Sequence, residues 1–405
     1  MTKRLLFLLT SILLAVAPVW YFAGTGASLP EDLTIYIATD LHYLAAELDG
    51  EESHFASPSA AGDGKAVHLT RAITEGFLQQ VIREKPDLLV LSGDLTLNGA
   101  PQSHRALTAL LAQVQAAGVQ VLALPGNHDL NGAAADYTTF DGAQLLTFPA
   151  ATAEEYGALY ATFGREQALY RDEHSLSYIY QADPGLWVVM LDTNTYSKGF
   201  VKSETFTWLQ THLREAERRG ITVLGVSHQN LYAHNRLLSF GYQLYEGDKL
   251  RELYEKHDVA ANFSGHIHVQ SIVDGQVPEA ATAAMCVTTL NYGKVTCSPE
   301  GMVYQAQPAD LPELAAEARW YFEEVARLQV RQQFAESGLT ADEIELLAET
   351  FARINSAYFS GERLEAEQFA EGLALWYEQE HSFIHTYMET MLESCSRENR
   401  LLKIR

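Results

Sequence analysis

The sequence predicts a layered α/β domain followed by an all-helical module. Short apolar runs alternate with amphipathic helical stretches as far as about residue 307, which is the pattern of a sheet covered by helices. From residue 308 onward Ala, Leu, Glu and Arg dominate and aromatic residues recur at helical spacing. Seven Asp, His and Asn residues stand just after the apolar runs of the first part. In an open α/β sheet, ligands gather outside the carboxyl ends of the strands.

At the N-terminus, Lys3 and Arg4 precede an apolar stretch over residues 5–23, then the small residues of Gly24-Thr25-Gly26-Ala27-Ser28. Residues 1–27 are therefore expected to be a cleaved secretory signal or an uncleaved membrane anchor. In either case the body is exported, secreted or held at the extracytoplasmic face of the cell membrane. The domain of interest is expected over 31–307 and the helical module over 308–405.

Residues 33–38 form an expected strand that runs into Asp40-Leu41-His42. Residues 70–84 place Ile73, Phe77 and Val81 on one helical face. Leu88-Leu89-Val90-Leu91 is continuously apolar, as a strand covered on both faces is, and ends in Ser92-Gly93-Asp94. A helix over 104–117 stops at Gly118, and a strand over 119–124 leads to Gly126-Asn127-His128-Asp129. Residues 131–180 read as an insertion with short helices and aromatic residues. A strand over 186–191 ends at Asp192, which is read as structural, and a helix over 204–219 stops at Gly220. Strands over 221–226 and 258–263 lead to His228 and to Gly265-His266-Ile267-His268. Hairpin turns are expected at Asp274-Gly275 and Pro299-Glu300-Gly301. After residue 308 no strand pattern is visible, and four or five helices are expected.

The chain of 405 residues carries 28 Lys+Arg against 52 Asp+Glu, a formal charge of -24. Binding to a nucleic-acid polymer rests on neutralising phosphates, so it is not expected. A small anionic substrate is compatible, because metal ions reverse the local sign of an acidic site. Three cysteines leave two readings open: a Cys286–Cys297 bridge across a hairpin through residues 290–293, or buried thiols.

Asp40, His42, Asp94, Asn127, His228, His266 and His268 offer oxygen and imidazole donors without a thiolate. That set suits Mn, Fe or Zn. At these residues the chain resembles the calcineurin-like metallophosphoesterases. Their blocks are Asp-x-His, Gly-Asp, Gly-Asn-His-Asp/Glu, His and Gly-His-x-His, and all are present between residues 40 and 268.

The resemblance implies a four-layer sandwich, two central sheets flanked by helices. It implies two divalent metal ions, one held by Asp40, His42, Asp94 and His268. The second would be held by Asp94 as bridge with Asn127, His228 and His266. It gives His128 contact with the phosphate and a share in protonating or stabilising the leaving group. Asp129, next in the chain, is read as a residue that orients such partners rather than as a reacting group. Gln229 stands where some members carry a further His.

The layout also resembles exported bacterial members related to cyclic-nucleotide phosphodiesterases, which carry a C-terminal helical module. Asp40-Leu41-His42-Tyr43, Gly62-Asp63-Gly64-Lys65 and the stretch from Ser92 to Gly99 suggest it. The implied activity is hydrolysis of a small phosphodiester, a cyclic nucleotide among the candidates, by metal-activated hydroxide. The same metals fit a monoesterase or a lipid or cell-wall phosphoesterase. A non-catalytic binding protein on this fold is the reading of a different class. Tyr43 and His234 are the expected substrate contacts, by stacking on a base and by touching substrate.

Overall fold

In the computed structural model, which describes residues 28–49, 54–58, 64–130, 137–141, 144–379 and 383–404, two mixed sheets lie face to face. The expected signal or anchor over 1–27 lies outside the described residues, as do Gly62 and Asp63. Among the described residues no helix is long and apolar enough to cross a membrane.

The first sheet has the order Leu401–Ile404, Gly301–Pro308, Asn291–Ser298, Thr34–Ala38, Leu88–Leu91, Gln120–Ala123. The second has the order Ser271–Val273, Glu279–Ala281, Ala261–Ser264, Thr222–Ser227, Leu186–Leu191, Tyr178–Asp183, Tyr170–Arg171. Period-2 side-chain alternation divides each strand between two cores. Ile35, Ile37, Val90 and Leu122 meet Val188, Met190, Val226 and Phe263 between the sheets. On the outer side of the first sheet, Leu89, Leu91 and Val121 pack with Ile73, Phe77 and Leu107 of the helices Thr70–Glu84 and Pro101–Ala116. Trp187, Val189 and Val223 do the same for the second sheet under the helices Ser203–Arg219 and Gly247–Lys256. The result is the expected helix–sheet–sheet–helix sandwich.

The parallel neighbours Thr34–Ala38, Leu88–Leu91 and Gln120–Ala123 end at one edge of the first sheet. Leu186–Leu191, Thr222–Ser227 and Ala261–Ser264 are likewise parallel in the second. Their carboxyl ends therefore bring the loops with the candidate ligands together.

After residue 308 the chain forms the helices Pro312–Phe334, Ala341–Ser360, Ala370–Glu378 and Phe383–Cys395. Thr340 caps the second of these, accepting from Glu343 N while Glu343 accepts from Thr340 N. These helices pack on the ligand loops. Ile267, between the two histidines of Gly265-His266-Ile267-His268, is buried with Val269 against Val330, Phe351, Tyr358, Trp376 and Met388. Burying one such Ile side chain stabilises by about 1.5–3 kcal/mol. Phe359 O accepts from Gln270 N (2.9 Å), which fixes the same turn to the helices by backbone.

The structure departs from the sequence expectations at several places. The helical segment ends in a strand, Leu401–Ile404, antiparallel to Gly301–Pro308. Only Leu402 and Ile404 face the core, and so short an alternation is recognisable only beside its partner. Tyr170–Arg171, inside the expected insertion, is the edge strand of the second sheet, and Tyr178–Asp183, which begins inside it, lies next to that edge between Tyr170–Arg171 and Leu186–Leu191. Residues 291–293 begin a strand rather than a turn. Cys286 and Cys297 are buried in different hydrophobic clusters and no disulfide joins them.

Candidate metal centre

Each expected ligand sits where a strand has just ended and the backbone must turn sharply. Asp40, His42, Asp94, His266 and His268 all have positive φ, from 44° at His42 to 68° at His266. For non-glycine residues this costs on the order of 1 kcal/mol each, and it persists only where the surroundings over-determine it. Here they do. Asp40 N and His42 N donate to Gly93 O and Asp94 O, both at 3.0 Å, zipping two ligand loops together. His266 N donates to Asp40 Oδ2 (2.9 Å) and His128 N to Asp94 Oδ1 (2.8 Å). Close approach needs glycine at Gly126, where a Cβ would collide with the Asp94 carboxylate.

These bonds occupy one oxygen of each carboxylate and leave the other facing the cluster. Asp40 Oδ1 is buried without a hydrogen-bond donor among the described residues. It lies 3.2 Å from His268 Nε2, which is itself 3.2 Å from His42 Nε2. Asp94 Oδ2 lies 3.2 Å from His228 Nε2 and 4.0 Å from His42 Nε2. His228 Nε2 is 3.2 Å from Asn127 Oδ1. The donor atoms thus form two groups, Asp40, His42, Asp94, His268 and Asp94, His228, His266, with Asp94 common to both. A buried carboxylate oxygen without a donor and ring nitrogens converging on it fit divalent cations.

The ring orientations are fixed from behind. His228 Nδ1 donates to Ser92 O (3.0 Å), which leaves Nε2 for the centre. His266 Nε2 donates to Gly241 O (2.8 Å), which leaves its Nδ1. Gln229 Nε2 reaches Asn127 Oδ1 (3.4 Å) and Asn194 Oδ1 (2.8 Å), so the residue in the variable family position holds a ligand's amide. Asp129 accepts from Leu95 N (3.0 Å), Thr96 N (2.8 Å) and Gly126 N (2.8 Å), tying two ligand loops together. Asp192 accepts from Leu176 N, Asn194 N and Thr195 N outside the cluster, a structural placement.

Burial holds the His42 imidazole well below its ordinary range, and brings His266 down to about 3, so both are neutral near pH 7. His228 behaves oppositely. Burial alone would lower it, but the Asp94 carboxylate more than offsets that and raises it to about 9. Burial would raise Asp94, yet His228 and His128 hold it well below the usual carboxylate range. The metal-free centre at pH 7 therefore holds a protonated His228 on an ionised Asp94.

A cation held by His228 would have to displace that proton. Apparent metal affinity should rise about tenfold per pH unit from pH 6.5 to about 9, then flatten. Titration calorimetry in buffers of different ionisation enthalpy reads the released proton directly. An affinity independent of pH would show that His228 is not a ligand. In the metal-free protein the raised His228 adds stability that is complete below about pH 6.5 and is lost as pH rises through about 9.

A pocket of about 490 Å³ opens over the cluster, lined by Asp94, Asn127, His128, His266 and His268. Lys65, Lys198, Tyr242, Phe359 and Tyr387 complete its wall. His128 stands apart from the ligand groups. Its Nδ1 donates to Leu97 O (2.8 Å), and its Nε2 is 4.0 Å from Asp94 Oδ2 on a side chain 30% exposed.

Tyr43 and His234 are not in this pocket. Tyr43 is 4% exposed and packs in the outer core of the first sheet, because its backbone extends the pairing beside Leu95. His234 Nε2 donates to Glu279 Oε2 (3.1 Å), both side chains being fully buried. Glu279 also accepts from Leu231 N and Tyr232 N, so this pair anchors the loop that carries Gly241. The wall residues Lys198, Phe359 and Tyr387 escaped the sequence reading, since nothing local marks them.

A family model described as calcineurin-like phosphoesterase matches residues 33–270. A second, described as the C-terminal domain of cyclic nucleotide phosphodiesterase, matches residues 304–397. A probable cyclic nucleotide phosphodiesterase of Rhodococcus erythropolis is 26% identical over 208 residues, covering 50% of this chain and 59% of that protein. Another from a Synechococcus strain is 34% identical over 108 residues, 27% of this chain and 34% of that protein. The matches thus span about three-fifths of the first relative and a third of the second. Among solved structures, a dimetal phosphatase from Danio rerio superposes with a TM-score of 0.51 at 14% identity, covering 69% of this chain and 97% of that one. At that identity the likeness concerns the fold alone.

Proposed function

We propose that this chain, which belongs to the calcineurin-like phosphoesterase family, hydrolyses a small phosphodiester at a dinuclear centre. The carrying observation is that two ligand groups share Asp94 on the floor of a pocket that His128 also lines. Asp40, His42 and His268 would hold one divalent ion with Asp94, and Asn127, His228 and His266 the other. Manganese, iron and zinc suit these donors. When bound, such a pair supplies an activated water and neutralises phosphate oxygens.

The protein's own residues do the rest. Asn127 and the two lysines give the phosphate an electropositive, hydrogen-bonding seat inside an acidic protein. His128 presents Nε2 to the pocket while Leu97 O fixes its ring, so a protonated His128 can donate to the leaving oxygen. A diester is favoured over a monoester by the second family match and by the names of the relatives, which also make a cyclic nucleotide the first substrate to try. The basic and then apolar N-terminus supports placing this centre on the extracytoplasmic side.

Manganese-loaded protein should hydrolyse bis-p-nitrophenyl phosphate and 3′,5′-cyclic nucleotides with kcat/KM at least about tenfold above p-nitrophenyl phosphate. A reversed order would establish a monoesterase. No turnover on any of them by metal-loaded protein would leave a binding protein on this fold.

A further inference from the structure

The pocket does not end at the metal ligands. Its wall is built partly by the C-terminal helices, through Phe359 of Ala341–Ser360 and Tyr387 of Phe383–Cys395. Behind these two rings lies a crevice of about 210 Å³, lined by Phe322, Val325, Phe351 and Asn355 and again by Phe359 and Tyr387. Gly64, next to Lys65 of the metal pocket, closes one side of it. The two spaces thus share Phe359 and Tyr387 and touch again at the Gly64-Lys65 step.

We propose that this crevice is a subsite for the organic group of the substrate, and that it takes a flat aromatic or heteroaromatic ring. The inference rests on the phosphoesterase reading. Its walls carry π faces: Phe322 and Phe359 lie 4.8 Å apart between centroids, tilted by 54°. A ring entering there gains stacking and edge contacts that an alkyl group does not. The size is adequate, since apolar cavities of roughly 150 Å³ admit benzene. Asn355 supplies an independent sign of a ligand. It is 9% exposed, and its Oδ1 has no hydrogen-bond partner among the described residues. An unsatisfied acceptor in an aromatic crevice suits a ring that bears an N–H. The wall is also held firmly, because Gln270 N donates to Phe359 O two residues beyond the ligand His268.

The test is calorimetric binding to the manganese-loaded full chain, with inorganic phosphate, n-butyl phosphate and phenyl phosphate as probes. The three share the phosphate and differ only in what must occupy the crevice. Phenyl phosphate is expected to bind about tenfold or more tighter than the other two. Phe359→Leu, which keeps bulk but removes the flat face, and Tyr387→Leu should each collapse that preference to less than about threefold. Equal binding of phenyl and butyl phosphate by the wild type would overturn the subsite, as would variants that keep the preference. Failure of metal-loaded protein to bind inorganic phosphate at all would instead remove the phosphoesterase reading, and the subsite with it.

Discussion

Replacing His128 by Ala should lower kcat on bis-p-nitrophenyl phosphate by about 10²–10⁴ while leaving the bound metal unchanged. A positioned general acid contributes about that much. The metal should stay because His128 belongs to neither ligand group, and its Nε2 is 4.0 Å from the nearest carboxylate oxygen. Its side chain is 30% exposed, so truncation opens no cavity in the core. The backbone bond from His128 N to Asp94 Oδ1 survives the change, so the bridging carboxylate keeps its orientation. Single-turnover kinetics with metal analysis on the same sample separates the two quantities. A variant with wild-type kcat would remove His128 from the chemistry. One that loses metal as well would show that it acts by supporting the ligands.

The ligand set was legible in the sequence for a physical reason. Parallel strands covered on both faces must be apolar, so the first polar residues after them mark the sheet edge. Leu88-Leu89-Val90-Leu91 before Ser92-Gly93-Asp94 is the clearest instance, and the structure reproduces that strand with its bounds. The layered α/β pattern was legible for the same reason, whereas the four layers were implied by the family resemblance.

What lay hidden depended on partners distant in the chain. Tyr43 follows His42 directly, yet pairing with the Leu95–Leu97 segment turns it into the core. His234 is committed to Glu279, 45 residues away, a pairing that no local pattern announces. Nothing local in the sequence marks Phe359 or Tyr387, and both pack against the core of the helical segment. Only the docking of the helical segment on Ile267 and Val269 brings them to the metal pocket. The strand Leu401–Ile404 is the same lesson in reverse, a helical composition ending in residues whose burial alternates.

That docking gives the C-terminal segment a structural part in the centre. The turn bearing His266 and His268 has both residues at positive φ, and the side chain between them is buried in the helical core. The strain in the turn is thus offset by packing from outside the sheets.

The second large effect is expected at Asp94, the residue common to both ligand groups. Asp94→Asn keeps the shape and the acceptor for His128 N but removes the charge that lets one carboxylate serve two cations. Losing the second ion forfeits several kcal/mol of charge stabilisation, so hydrolysis should fall about a thousandfold. The most direct measurement is the number of manganese ions bound per chain, by calorimetric titration of the chelator-stripped protein and of Asp94→Asn at pH 8. The shared-carboxylate centre predicts two ions in the wild type and fewer than two in the variant. A single ion in the wild type, or two retained by Asp94→Asn, would contradict it.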